Sequence, residues 1–250
     1  MPSLKTHSDY SLIHFPSFSL HLEIVQESRR SARISLAKHK AILRLPILLS
    51  TSQKEKHLDW ARNWLRKKFE TDPKLLNRYI PKNYQTGQKI QLRNREFVLD
   101  VIEDVDRKTA MGSLELNTLN IHLPTGIDPF QKHKLCSTII SRLMSSVFLP
   151  EIKRRVHEIN QQYFNKEIKS VRLKLNVSNW GSCSSNKMIN LSSRLLLTPQ
   201  FITDYIIVHE LAHLVHMDHS PKFWAVVQKV MPEYEKAEQW LNKHGEGCNW

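Results

Sequence analysis

The segment from Thr198 to Trp224, TPQFITDYIIVHELAHLVHMDHSPKFW, constrains this chain more than any other. Thr198 and Pro199 make a good helix start, and from Phe201 to Val215 the run is apolar on most sides. A helix apolar nearly all round is a buried helix. Yet His209, Glu210 and His213 stand inside it, and a polar group buried without a partner costs several kcal/mol. Something must satisfy them.

The spacing says what. Residues four apart share one helix face, about 6 Å apart along the axis at ~1.5 Å per residue. Two imidazoles so placed can converge on one Zn²⁺ at about 2.0–2.1 Å each. Glu210 is rotated off that ligand direction, beside the metal, where a carboxylate can take a proton from a bound water. The plain alternative is a helix with two satisfied histidines and an unrelated glutamate. The apolar setting argues against it, as does the crowding of four of the chain's 13 His into residues 209–219.

A catalytic zinc needs a third protein ligand and an open position for water. His216 continues the same stripe, and three ligands on one line match a tetrahedral site poorly. His219 is better placed: a turn near Asp218 can swing it back, and Ser220-Pro221 reads as the N-cap and first position of a new helix. Glu233, Glu235 and Glu238 are weaker alternatives for the third ligand. Tyr205, one turn before His209, and His216 are candidates for groups that support the ligands. Cys183 would close the open position if it were a ligand, and a small buried residue is its commoner role. Phe223, Trp224, Val227 and Met231 recur at helical spacing and read as core beneath the site, with Tyr234 and Trp240 closing it. His244 and Cys248 fall in a polar tail and receive no role.

The rest of the chain reads as α+β. Residues 1–26 lack a clear period and read as a tail or an irregular first strand. Residues 27–125 read as a basic, β-rich subdomain. In it, 28–36 (SRRSARISL) turns from a basic run into alternation, and Ala41–Leu49 is a strand broken at Pro46, which favours an edge or a bulge. Segments 88–102 and 113–123 also read as strands. Between Ala41–Leu49 and residue 88 a helix is expected from Ser52, with Glu55 completing a capping box and Leu58, Ala61, Leu65 and Phe69 facing a core. Residues 126–250 read as the zinc-carrying domain. Asp128-Pro129 starts a long apolar helix to about Phe148, interrupted near Pro150 and resumed from Glu151 to about Tyr163. Val171–Val177 alternates as a half-buried strand, and Met188–Leu191 is a short one. No internal repeat is visible.

Three far-apart cysteines argue against a disulfide framework and for a reducing, cytoplasmic setting. No secretory signal and no stretch of about 18 uncharged apolar residues is apparent, so no membrane partner is expected. The net charge is +13, and residues 1–100 hold 19 Lys+Arg against 9 Asp+Glu, whereas residues 101–250 hold 18 against 15. A basic first half points to an anionic partner, such as nucleic acid or acidic protein, or to solubility alone.

The run from Asn179 to Trp224 resembles the YgjP-like metallopeptidases, relatives of the SprT and WLM families of zinc proteases. The matching residues are Trp180-Gly181-Ser182-Cys183, Ile189 to Leu191, Arg194-Leu195, Pro199, Tyr205, the HELAH run at 209–213, and His219-Ser220 ahead of Phe223-Trp224. The likeness is close over 171–245 and loose over 27–70. It departs at Asn179, where Arg is usual, at Lys187, where Gly is usual, and at Leu191-Ser192-Ser193. The resemblance implies a compact zincin-like domain of minigluzincin type, with His209, His213 and His219 as Zn²⁺ ligands and Glu210 as catalytic base. It also implies hydrolysis of protein or peptide substrates. The competing expectation is a nucleic-acid-associated protein, either a DNA-linked protease or an inactive zinc-binding relative. A structural zinc module without turnover is disfavoured, because such a site has no need of a base at position 210.

Overall fold

The structure is a computed structural model that describes residues 8–15, 18–37, 40–72, 75 and 79–250. The chain divides into two compact units, Met1–Pro81 and Lys82–Trp250. That division differs from the expected boundaries at 26 and 125. Of the expected tail, residues 1–7 lie outside the described residues, and the rest supplies two regular strands to the first unit. Residues 82–125 belong with the histidine helix, because the apolar faces of their strands share one core with it.

In the first unit, β1 (Ser8–His14), β2 (Ser19–Glu27), β3 (Arg33–Leu36) and β4 (Lys40–Pro46) form a sheet in the order β1-β2-β4-β3. The β2–β4 ladder is parallel and the outer two are antiparallel. Strict alternation in β4 sends Ala41, Leu43 and Leu45 inward. Pro46 does not put β4 at an edge; β4 lies inside the sheet and Pro46 is its last residue, opposite Glu27, where a missing N–H costs least. Helix α1 (Thr51–Thr71) covers this sheet with Ala61, Leu65 and Phe69. Its N-cap is Ser50, in a reciprocal capping box with Gln53, two residues ahead of the expected Ser52–Glu55 pair. Both pairs have the three-residue spacing, and the earlier one lets the helix begin sooner after β4.

The second unit opens with the same plan. β5 (Lys89–Leu92), β6 (Arg95–Asp104), β7 (Met111–Glu115) and β8 (Thr118–Pro124) run in the order β5-β6-β8-β7, with β6–β8 parallel and the outer pairs antiparallel. Helix α2 (Pro129–Ile159) follows, capped by Asp128 with Pro129 at its first position, as expected. β3, β4 and α1 begin at residues 33, 40 and 51, and β7, β8 and α2 at 111, 118 and 129, a constant offset of 78. β4 and β8 share the same inward alternation, and each parallel ladder ends on proline. The chain therefore contains an internal repeat of topology that the residue identities do not display.

Helix α2 does not break at Pro150. Cys136, Ile140, Met144, Phe148, Ile152 and Val156 recur every fourth residue and are buried on both sides of it. A proline inside a helix costs about 3 kcal/mol, and each large aliphatic buried beyond it returns about 1.5–3 kcal/mol, so continuity wins. A π-helical turn, Asn160–Phe164, ends the rod at Asn165 in the left-handed region (φ 48°). Against expectation, Pro129–Phe164 is long and apolar enough to cross a membrane, but half of its apolar window is buried inside the protein, as in a core helix.

A second small sheet follows, β9 (Ser170–Lys174), β10 (Gly181–Cys183) and β11 (Met188–Ser192), in the order β10-β11-β9. Then come α3 (Gln200–Ala212), α4 (Pro221–Val230) and α5 (Tyr234–His244). The architecture is α+β. Arg194, 6% exposed, donates to the carbonyls of Cys248, Gly245 and Val177 and lies 4.0 Å from the Trp180 ring centroid. Cys248 and Trp250 are buried, so the expected polar tail is part of the core. The guanidinium satisfies carbonyls that burial would otherwise strand.

Candidate metal centre

Helix α3 is buried on most sides, as its composition demands, and presents His209 and, at its C-cap, His213. The chain then leaves the helix through Leu214–His216 and turns at Asp218, whose carboxylate is hydrogen-bonded by Ser220 and held below the usual carboxylate range. This turn brings His219 back. The potential ligand atoms of His209, His213 and His219 all lie within 4.8 Å of one another. The Nε2 atoms of His209 and His219 are 3.1 Å apart. Two nitrogens at tetrahedral positions about 2.0–2.1 Å from one zinc would be separated by roughly 3.3 Å, so the pair fits a shared cation.

The ring nitrogens of His213 divide as a metal ligand requires, whereas His209 Nδ1 is buried with no hydrogen-bond partner among the described residues. His213 donates Nδ1–H to the carbonyl of His216 at 3.2 Å, leaving Nε2 free to coordinate. His216 thus supports the site through its backbone, and its ring is not in the cluster. Burial first, then the neighbouring His213 and His219, pushes the His209 pKa down to about 4. Burial also lowers that of His213. Both imidazoles are therefore held neutral, the form that binds a metal. Phe223 of α4, fully buried, packs its ring against all three imidazoles at centroid distances of 4.9, 4.5 and 4.9 Å. It is the floor of the cluster.

Glu210 is 4% exposed, and burial pushes its carboxyl up to about 8. Its Oε2 is buried with no hydrogen-bond partner among the described residues. A carboxylate so placed is costly unless a water, a proton or a nearby cation satisfies it. The three clustered nitrogens and this orphaned oxygen fit a metal with a water beside it.

The other sequence candidates separate clearly. Tyr205 is buried, its ring 6.1 Å from His209, and its hydroxyl donates to Glu238 at 3.0 Å. Glu238 is thereby engaged, Glu233 pairs with Lys236, and neither they nor Glu235 join the cluster. Cys183 is likewise outside it; burial pushes its thiol up to about 11. Trp224, expected as core beneath the site, lies 5.9 Å from the His209 ring and stacks on Tyr234, while Gly181, which touches Glu210, carried no assigned role in the sequence. For Gly181 the signal was present in the Trp180–Cys183 run, but the contact crosses from strand to helix.

A family profile for the YgjP-like metallopeptidase domain matches residues 30–244. The chain belongs to the YgjP-like metallopeptidase family. The resemblance carried by the residues around His209 is thus borne out over most of the chain, and with it the α+β fold class. Among solved structures, the crystal structure of the metallopeptidase zymogen abylysin of Pyrococcus abyssi is similar at 23% identity and a TM-score of 0.34, covering 37% of this chain and 93% of that one. That of the zymogen jannalysin of Methanocaldococcus jannaschii is similar at 24% identity and 0.33, covering 37% and 94%. No curated protein matches.

Proposed function

We propose that this YgjP-like metallopeptidase is a zinc-dependent hydrolase of peptide bonds, with His209, His213 and His219 as metal ligands and Glu210 as general base. The observation that carries the reading is the convergence of three imidazoles, two of them held neutral, beside a buried carboxylate with an unsatisfied oxygen. Three nitrogen donors leave a tetrahedral cation one open position. A zinc held there would acidify a water and polarise a peptide carbonyl. Glu210 accepts the proton of the attacking water and returns it to the leaving amine. Burial raises its proton affinity, and a cation held beside it would favour the ionised form that a base needs. Tyr205, engaged with Glu238, and His216, engaged through its carbonyl, keep the ligand helix and its C-terminal turn in place.

The test is elemental analysis followed by cleavage of an unfolded protein with and without chelator. One zinc per chain and chelator-sensitive cleavage are expected. Glu210→Gln should keep the zinc and lose about 10²–10⁴-fold in turnover, the usual contribution of a positioned base. Full turnover in that variant, with zinc confirmed, removes Glu210 from the role.

A second reading, association with nucleic acid, is supported by the 19 Lys+Arg against 9 Asp+Glu in residues 1–100. Its signature would be DNA affinity that falls steeply with salt. Salt-independent or absent binding leaves the charge to solubility.

A further inference from the structure

Among the described residues strand β10 is an edge strand, paired only with β11, and its residue Gly181 lies against α3. Gly181 does not need glycine's backbone freedom: among the described glycines only Gly87 and Gly126 have positive φ. What it needs is space. A β-carbon at this position would stand 2.4 Å from Oε1, 2.8 Å from Cδ and 2.8 Å from Cγ of Glu210. Non-bonded heavy atoms pack best at about 3.5–4.0 Å, so such a carbon and the observed carboxylate cannot coexist. All three nearest atoms belong to the one residue, Glu210. Glu210 is only 4% exposed, so a displaced carboxylate shifts inside the protein and not out into solvent.

We infer that Gly181 is a positioning residue for Glu210. The bare Cα of β10 forms the slot that receives the carboxylate and aims it along the histidine face. This inference rests on the reading of Glu210 as the proton-transfer group. A side chain at 181 leaves the three imidazoles where they are and drives the carboxylate off its line. Misplacement of a reacting group by about 1 Å can cost roughly 100-fold in rate.

The experiment uses the zinc-loaded full chain. Gly181→Ala should retain one zinc per chain and an unchanged KM, and lose about 100-fold in kcat. In a Glu210→Asp background, where the carboxylate is withdrawn by one methylene, the same Ala should cost less than about twofold, because pairs in contact are non-additive. An equal loss in both backgrounds, or no loss in the wild-type background, overturns the inference. A crystal structure of Gly181→Ala reads the contact without activity. The expected result is a displaced Glu210 carboxylate above unmoved imidazoles; an unmoved carboxylate overturns it. If the zinc-loaded wild type cleaves no peptide bond, the peptidase reading fails by itself and the crystal structure still decides the contact. Should Gly181→Ala fail to fold, Gly181→Ala/Glu210→Ala, which empties the slot, must fold. Failure there too means the methyl clashes elsewhere, and the inference falls.

Discussion

The two four-stranded sheets with their following helices are built to one plan and used differently. In the first, α1 buries a single narrow stripe, Ala61, Leu65 and Phe69, against its own sheet, while Trp60 on the same helix is 43% exposed. In the second, α2 is ten residues longer, 31 against 21, and apolar on more than one side. It packs on β7 and β8 of its own sheet and also on β9 of the next. Arg155 near its end holds Asp204 of α3 through two hydrogen bonds of 2.8 and 2.9 Å. The same frame becomes a platform for a metal centre when its helix gains a second buried face. The clustered histidines and Glu210 lie on α3 and the turn after it, and the longer α2 packs against α3.

The contrast can be broken most decisively at the site. His213→Ala should lose zinc and cut turnover by more than about 10³-fold, since metal polarisation supplies several kcal/mol of barrier lowering. Retained zinc with full turnover would return the centre to an ordinary buried helix. Next come the matched core positions. Leu43 and Ile121 occupy equivalent places in β4 and β8, and both are fully buried. Replacement by Ala should cost about 2–5 kcal/mol in each case by denaturant unfolding. Zinc retention should suffer only for Ile121→Ala, whose strand supports α2; an equal loss for Leu43→Ala would mean the first frame also carries the site. The caps are a smaller matched pair: Ser50→Ala and Asp128→Ala should each cost about 1 kcal/mol, read as a lowered unfolding midpoint. A cost several times greater at one of them would show the frames to be unequal at their helix starts. Smallest is the clamp between α2 and α3. Arg155 is partly exposed, so a double-mutant cycle with Asp204 should give a coupling of only about 0.5–1 kcal/mol. No measurable coupling would make the contact ornamental.

Much of this was legible beforehand where a local period decides the matter. The four-residue spacing of His209 and His213, the Ser220-Pro221 helix start that returns His219, and the alternation of β4 and β9 need only the geometry of one element. The Asp128-Pro129 cap was equally local. The repeat of the first sheet in the second is not written in the residue identities, because topology depends on which positions face inward, not on which apolar residue fills them. Ala41, Leu43 and Leu45 correspond to Leu119, Ile121 and Leu123, and a comparison of identities finds little there.

What the amino-acid order determined alone was the four-residue spacing of His209 and His213, the glutamate next to His209 and the α+β alternation, because these are written in spacings of two and four along one element. Tertiary structure decided the rest. Whether α2 survives Pro150 depended on the sheets that bury Ile152 and Val156. Whether the last residues were tail or core depended on Arg194 finding three distant carbonyls. That Glu210 sits in a glycine slot depended on a strand some thirty residues earlier in the chain arriving beneath it. Each is a contact between elements, and its energy exists only once both surfaces have met.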